Sequence, residues 1–292
     1  MPTLPLYLLT VFIWGTSWFF IKLQLGEVAP QVSILYRFAI AAAILLGYCL
    51  VRGRNLRYRP ADHARFATIG LFLFNLNFLF LYFASAELTS GLVSVLFSSV
   101  QIFNMVIGYL VLGDRVNARM IIGALAGIGG IALVFLPELE NIEFSGDVLN
   151  GVAYALLGTL FASFGMVSSS RFQRRNIPVL QTNAFGMSWS VVWMTGYVLV
   201  ADIPFGFDLS AAYVGSLAWL TLLSTILGFS LFMTLIGRVG AARASYAMVM
   251  FPLVALAIST AFEAYQWSFA AVAGVSLAIT GNILIMGQRR PD

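Results

Sequence analysis

PELENIEFSGD, residues Pro137–Asp147, divides the chain near its middle. It carries Glu138, Glu140, Glu143 and Asp147 with no Lys or Arg, and a long series of apolar segments lies on each side of it. The segments on the two sides share one internal rhythm. The stretch therefore reads as an extracytoplasmic joint between two halves of a membrane-embedded chain.

The composition agrees. Of 292 residues, 60% are hydrophobic and only 10% charged, where a water-soluble domain has about a quarter of its residues charged. Too little polar surface is available to cover a protein in water, so most of the solvent is lipid. The net charge of +4 is not a nucleic-acid signal, because the basic residues fall in short loops between apolar runs. Cys49 stands alone inside an apolar run, which rules out an internal disulfide and fits inert packing. The first apolar run has full spanning length and is followed by many more, so it is expected to stay in the membrane.

A spanning helix needs roughly 20 apolar residues. That ruler places ten spans at Leu4–Leu23, Val32–Val51, Phe66–Phe83, Ser90–Leu112, Met120–Leu136, Val148–Ser170, Thr182–Val200, Ala212–Ile236, Ala244–Phe262 and Trp267–Met286. Arg52, Arg54, Arg57, Arg59, Arg65, Arg115, Arg119, Arg171, Arg174, Arg175, Arg238, Arg243, Arg289 and Arg290 all then fall at one end of the bundle. Glu27, Glu87, the 137–147 cluster, Asp202, Asp208 and Glu263 fall at the other, in loops without a basic residue. By the positive-inside rule both termini are expected in the cytoplasm. A span count wrong by one would scramble this segregation.

Five spans precede the acidic joint and five follow it, so the halves enter the membrane in opposite directions, the inverted-repeat plan of many carriers. The expected division is residues 1–137, an acidic linker at 138–147, and residues 148–292. Internal echoes agree with duplication. Gly15-Thr16 is matched by Gly158-Thr159, Asp114 by Glu263, and Gly123 and Gly130 by Gly274 and Gly281 at the same spacing.

Several stretches carry a resemblance to a known family. IWGTSWFFIKL (Ile13–Leu23), YRF (Tyr36–Phe38), FASAELTSGLVSVL (Phe83–Leu96), LGDRVNARMIIGALAGIGGIAL (Leu112–Leu133) and FEAYQWSFAAVAGVSLAITGNIL (Phe262–Leu284) look like the EamA-like branch of the drug/metabolite transporter superfamily. The overall pattern is most similar to the aromatic amino acid and metabolite exporters. The resemblance covers nearly the whole chain. It implies an all-α integral membrane fold, ten transmembrane helices in two inverted five-helix repeats around a central cavity that passes small solutes, often outward. A bacterial inner membrane is the location it implies. Two departures stand out: Asp114 replaces the usual Glu, and span four lacks the family's proline, whereas its counterpart Pro252 is present in span nine. A bend at Pro252 would free backbone carbonyls.

Polar groups deep in a bilayer usually face the bundle interior or a water path. Lys22 and Arg37 are the only basic residues within spans. Either is placed to attract a substrate carboxylate or to pair with Glu27, Glu87 or Glu263 in an outer gate. Snorkelling of Lys22 and a structural pair for Arg37 are the plainer readings. Ser90, Ser94, Ser98 and Gln101 share one helical face. Ser90 and Ser94 read as helix glue, and Ser98 and Gln101 as cavity wall. Asn75 and Tyr82, seven apart, make another candidate face, with Asn77 off it. Trp18, Trp193, Tyr246 and Met250 complete the candidate walls, against the alternative of interfacial or lipid-facing packing. Gly123 and Gly127 form GxxxG, which reads as close packing within the fold and leaves a monomer favoured over a dimer.

No Asp or Glu lies inside a predicted span, and His63 falls in a basic loop. Proton relays through the membrane usually need such groups, so facilitated movement is expected. An intramembrane enzyme would need a Ser–His pair, paired aspartates or a metal cluster, and none can be assembled; no metal or cofactor is expected. The sequence leaves open an exporter of amino acids, an exporter of aromatic cations, a nucleotide-sugar or sugar-phosphate carrier, and a receptor.

Overall fold

The computed structural model describes residues 3–113, 116–141, 146–173, 177–239 and 246–286. It is all-helical, with ten helices that traverse one bundle. They are α1 (Thr3–Lys22), α2 (Pro30–Val51), α3 (Pro60–Glu87), α4 (Ser90–Val111), α5 (Ala118–Asn141), α6 (Gly146–Gln173), α7 (Val179–Val200), α8 (211–239), α9 (Tyr246–Phe262) and α10 (Phe269–Met286). Prolines at the first helical turn open α2 and α3, where the missing N–H leaves no bond unmade. Thr89 and Ser210 cap α4 and α8 by accepting from Leu92 N–H and Tyr213 N–H. The acidic stretch is partly helical, since α5 reaches Asn141 and α6 starts at Gly146; residues 142–145 lie outside the described residues.

Helix neighbours exchange when each helix of the first half is mapped onto its partner in the second. α1 packs on α9 as α6 packs on α4; α3 packs on α7 as α8 packs on α2; α3 packs on α6 as α8 packs on α1. α5 and α10 pair with each other, as do α2 and α7. This is the neighbour pattern of two inverted repeats.

The closest approach lies between α5 and α10. A Cβ on Gly130 would sit 2.4 Å from Ala278 N and 2.5 Å from Gly274 O, and one on Gly281 would sit 2.4 Å from Gly123 O. The glycines that echo one another in sequence therefore meet face to face. Outer positions such as Ile122, Leu125 and Ile128 are exposed, the apolar girdle that lipid requires of a spanning bundle.

Three helices deviate from α geometry. α3 widens to π-helical turns at Phe72–Leu76 and α8 at Trp219–Gly228, corresponding positions of the two halves. Wide turns free carbonyls from the usual ladder, and donors are in place to satisfy them. Ser190 Oγ donates to Phe74 O at 2.9 Å, Trp14 Nε1 to Ser224 O at 2.9 Å and Thr225 Oγ1 to Leu220 O at 2.8 Å. Ser190→Ala would leave the Phe74 carbonyl bare in a buried site. A loss of about 1–2 kcal/mol is expected, and an unchanged thermal unfolding temperature in detergent would contradict it.

α4 breaks at Ser98–Ser99, between helical pieces Ser90–Phe97 and Val100–Ile107. Both serine hydroxyls fold back to donate to carbonyls three residues earlier, Ser98 to Val95 O at 2.6 Å and Ser99 to Leu96 O at 2.7 Å. By contrast α9 runs without interruption from Tyr246 to Phe262 with Pro252 inside it. The interruption of the helix thus lies in the proline-free member of the pair, where hydroxyls compete for the backbone.

Candidate functional site

A cavity of about 410 Å³ lies between the halves. In the acidic half of the bundle it is lined by Trp18, Arg37, Asn77, Phe78 and Leu81, and toward the end bearing the chain termini by Met166, Ser169, Val179, Asn183, Phe232 and Met248. Val179 is the first residue of α7, so the cavity reaches that end of the bundle. The two ends are unequal. α1 packs against the first half of α4 at the acidic end. The counterpart helices at the terminal end, α6 and the start of α9, make no comparable packing among the described residues.

The acidic end is closed by a polar latch between α4 and α9. Ser90 N–H and Oγ donate to Glu263 Oε2 at 2.8 and 2.9 Å, and Gly91 N–H donates to Ser259 Oγ at 2.8 Å. Ser259 Oγ also donates to the same carboxylate. Lys22 Nζ stands 3.6 Å from Glu263 Oε1 and donates to Leu88 O at 3.3 Å. The carboxylate thus occupies the N-terminus of α4, where unpaired N–H groups and the helix dipole favour an anion. Gly91 permits the approach, since a Cβ there would meet Leu256 Cδ2 at 2.6 Å.

Arg37 is the charged side chain of the cavity wall. It is 2% exposed, and its guanidinium lies 4.5 Å from the Phe78 ring centroid. Nε donates to Thr225 Oγ1 at 3.0 Å, which anchors the fork to the wide turns of α8. Nη1 is buried without a hydrogen-bond partner, and the ion pairs among the described residues are Lys22–Glu263 and Arg65–Asp62. A buried cation facing a cavity without a carboxylate is a poor structural pair and a good receptor for an anionic group.

The remaining candidates divide. Trp18 and Gln101 line the cavity, and Ser98 lines a small adjoining pocket with Gln101 and Met248. Asn75 does not: its Nδ2 reaches Ser190 O at 3.4 Å across to α7. Tyr82, on the same face, is fully buried behind the cavity wall and donates to Gln24 Oε1. The π-helical turns at Phe72–Leu76 shift the helix phase, so Leu73, Phe74, Asn77, Phe78 and Leu81 face the cavity instead. Trp193 is 43% exposed on the outer surface, with Nε1 on Ala67 O at 3.1 Å, and Met250 is 36% exposed. Neither lines this cavity. The Tyr246 side chain, Asp114 and residues 142–145 of the acidic joint fall outside the described residues. Lys22 and Glu263 meet in the latch, and Pro252 is buried on α9, the helix that carries Ser259 of the latch.

Sequence reasoning passes over Asn104 and Asn183. Asn104 lines the cavity and accepts from Ser163 Oγ at 2.7 Å. Asn183 lines it at the first turns of α7. An Asn inside an apolar run is the available signal for each.

Known proteins place this geometry. Residues 1–136 and 149–287 match the EamA-like transporter family. An "Uncharacterized transporter" of Archaeoglobus fulgidus is 24% identical, over 96% of this chain and 97% of its own. The "Probable amino-acid metabolite efflux pump" of Escherichia coli K12 is 26% identical over 97% and 95%. The "Uncharacterized inner membrane transporter YedA" of the same strain is 31% identical over 85% and 78%. One solved crystal structure aligns over 97% of this chain and 95% of its own at 15% identity with a TM-score of 0.69, a likeness of fold alone. A ten-helix bundle around a one-ended cavity, matched in both halves, makes this chain a multi-pass membrane transporter of the EamA-like family.

Proposed function

We propose that the protein exports small amphipathic metabolites, foremost amino acids including aromatic ones, by facilitated alternating access. The observation that carries this is the wall of the cavity: one cation, Arg37, among aromatic and amide side chains, with no Asp, Glu or His among the described lining residues. Like charge disfavours an aromatic cation beside a guanidinium that no described carboxylate neutralises. A dianionic sugar phosphate needs several Lys or Arg contacts, and this lining supplies one. A zwitterion with a planar side chain suits both the charge and the rings.

The basic loops support an orientation, and the likeness to inner-membrane transporters supports a location. The positive-inside rule puts the arginine-bearing end, and with it both termini, in the cytoplasm. The cavity then faces the cytoplasm, the loading state of an exporter in a bacterial inner membrane. Release outward would follow a rocking of the halves 1–137 and 148–292 within a monomer. The described lining offers no carboxylate relay, so the substrate's own gradient drives the flux.

The test is uptake into liposomes of labelled Phe, Trp, Thr and Met beside a nucleotide sugar and a quaternary aromatic cation, each with and without a pH gradient. Saturable amino-acid flux that ignores the pH gradient is expected. Flux of the cation alone, or flux that requires the pH gradient, would contradict the proposal, and binding without flux would indicate a receptor.

A further inference from the structure

Three polar atoms buried in the cavity wall have no hydrogen-bond partner among the described residues. They are Nε1 of Trp18, Nη1 of Arg37 and Oδ1 of Asn77. Their residues are 7%, 2% and 4% exposed. Each side chain is held by a second contact that leaves the orphaned atom free. Asn77 Nδ2 donates to Leu73 O at 3.0 Å, Arg37 Nε to Thr225 Oγ1 at 3.0 Å, and the Trp18 ring packs on Phe97 with centroids 5.0 Å apart. Buried polar groups in a native protein are nearly always paired. Eight such exceptions occur among the described residues, and these three, on three different helices, are the ones whose residues line the cavity, where a ligand would complete them.

The set is two donors, one of them cationic, and one acceptor. We infer that it recognises the free α-amino carboxylate head of the substrate, with Arg37 and Trp18 donating to the carboxylate and Asn77 Oδ1 accepting from the ammonium. At 1.5 Å per residue, Trp18, Arg37 and Asn77 lie about 6, 10 and 15 Å from the acidic ends of their helices. The head therefore points toward the closed end. The substrate side chain extends toward the open end, where Phe229, Phe232, Phe251 and Met248 form the wall. An adaptable apolar wall of this kind accepts side chains of several shapes, while the head group sets the class. A fixed head site with a permissive tail site gives a carrier for many amino acids and few amines.

This assignment rests on the amino-acid reading above. Its test is competition against counterflow of labelled phenylalanine in proteoliposomes, using phenylalanine, phenylalaninamide, 2-phenylethylamine and 3-phenylpropionate. The three analogues, each lacking one half of the head or its charge, are expected to compete at least about tenfold more weakly, since a site built to pair a polar group rejects a ligand without it. Arg37→Gln should narrow the gap between phenylalanine and its amide. Should that variant not fold, Trp18→Phe, which keeps the ring and removes the donor, should narrow it in the same direction. Equal competition by the amide or by 2-phenylethylamine would overturn the head-group assignment and leave amino-acid transport standing. Flux of another solute class with none of phenylalanine would overturn both.

Discussion

Gly130→Val is expected to lower the stability of the protein by roughly 3 kcal/mol or more, at or above the upper end for overpacked cores. The reason is what the new side chain would meet. A Cβ at this position lies 2.5 Å from Gly274 O and 2.9 Å from Ala278 Cα, and all three nearest atoms are backbone. A flexible side chain can rotate away from such a clash; a helix axis cannot. α5 and α10 would have to separate along their length, which also loosens Gly281 against Gly123 and Gly127. Without a hydrophobic force between helices in lipid, that loss of close packing has little to offset it. Gly196→Ala is the control: nothing lies within 4 Å of its Cβ, and removing a mid-helix glycine is expected to stabilise by about 0.5–1 kcal/mol. Thermal unfolding in detergent reads both. Equal shifts for the two variants, or retention of wild-type stability by Gly130→Val, would rule out the tight α5–α10 contact.

That contact is legible in the sequence, because Gly123, Gly130, Gly274 and Gly281 share a spacing and glycine in a membrane helix has few uses other than close approach. The latch is legible in part. Ser90 and Ser94 share a face with Gln101, and Arg segregation places Glu263 and Lys22 at the same end. The cavity wall reads less well. α1, α7 and α10 are apolar almost uniformly around their circumference, so composition gives no hint of which face meets lipid and which meets the interior. Trp193, a candidate from the sequence, lies outside the lining of this cavity for that reason. Asn75 and Asn77, two apart, cannot both face the cavity, and the choice between them depends on the π-helical turns at Phe72–Leu76. Such turns have no sequence signature, since they arise where tertiary partners such as Ser190 capture the freed carbonyl. Arg37 is recognisable from charge alone. Its isolation from every described carboxylate is not, and that isolation is what favours a zwitterion over a cation.

The same division between ends governs the second large effect. Glu263→Ala is expected to open the acidic end. Glu263 is 6% exposed at its side chain and joins Ser90, Ser259 and Lys22 around one carboxylate. These contacts link α4, α9 and α1 across the closed end; opening of that end would return the groups to water. Charge-assisted hydrogen bonds contribute about 1.5–3 kcal/mol each when removed, and part of that is recovered by hydration of the partners. A net shift of about 2–4 kcal/mol toward the open state follows from that range. At about 1.4 kcal/mol per factor of ten, this corresponds to roughly thirty-fold or more in population. Ser94 reports it, since it lies one turn inside the latch and is 2% exposed. In a Cys49→Ser background, Ser94→Cys should react slowly with an impermeant maleimide applied from the acidic side. Adding Glu263→Ala should speed that reaction by at least about tenfold, and Glu263→Gln, which can still accept from Ser90, by less. Lys22→Met should fall between them, because it removes the charge partner and the Leu88 contact while leaving the carboxylate on the helix terminus. If labelling rates are unchanged by Glu263→Ala, the carboxylate holds no gate, and closure of the acidic end rests on the apolar packing of Leu92 and Leu256.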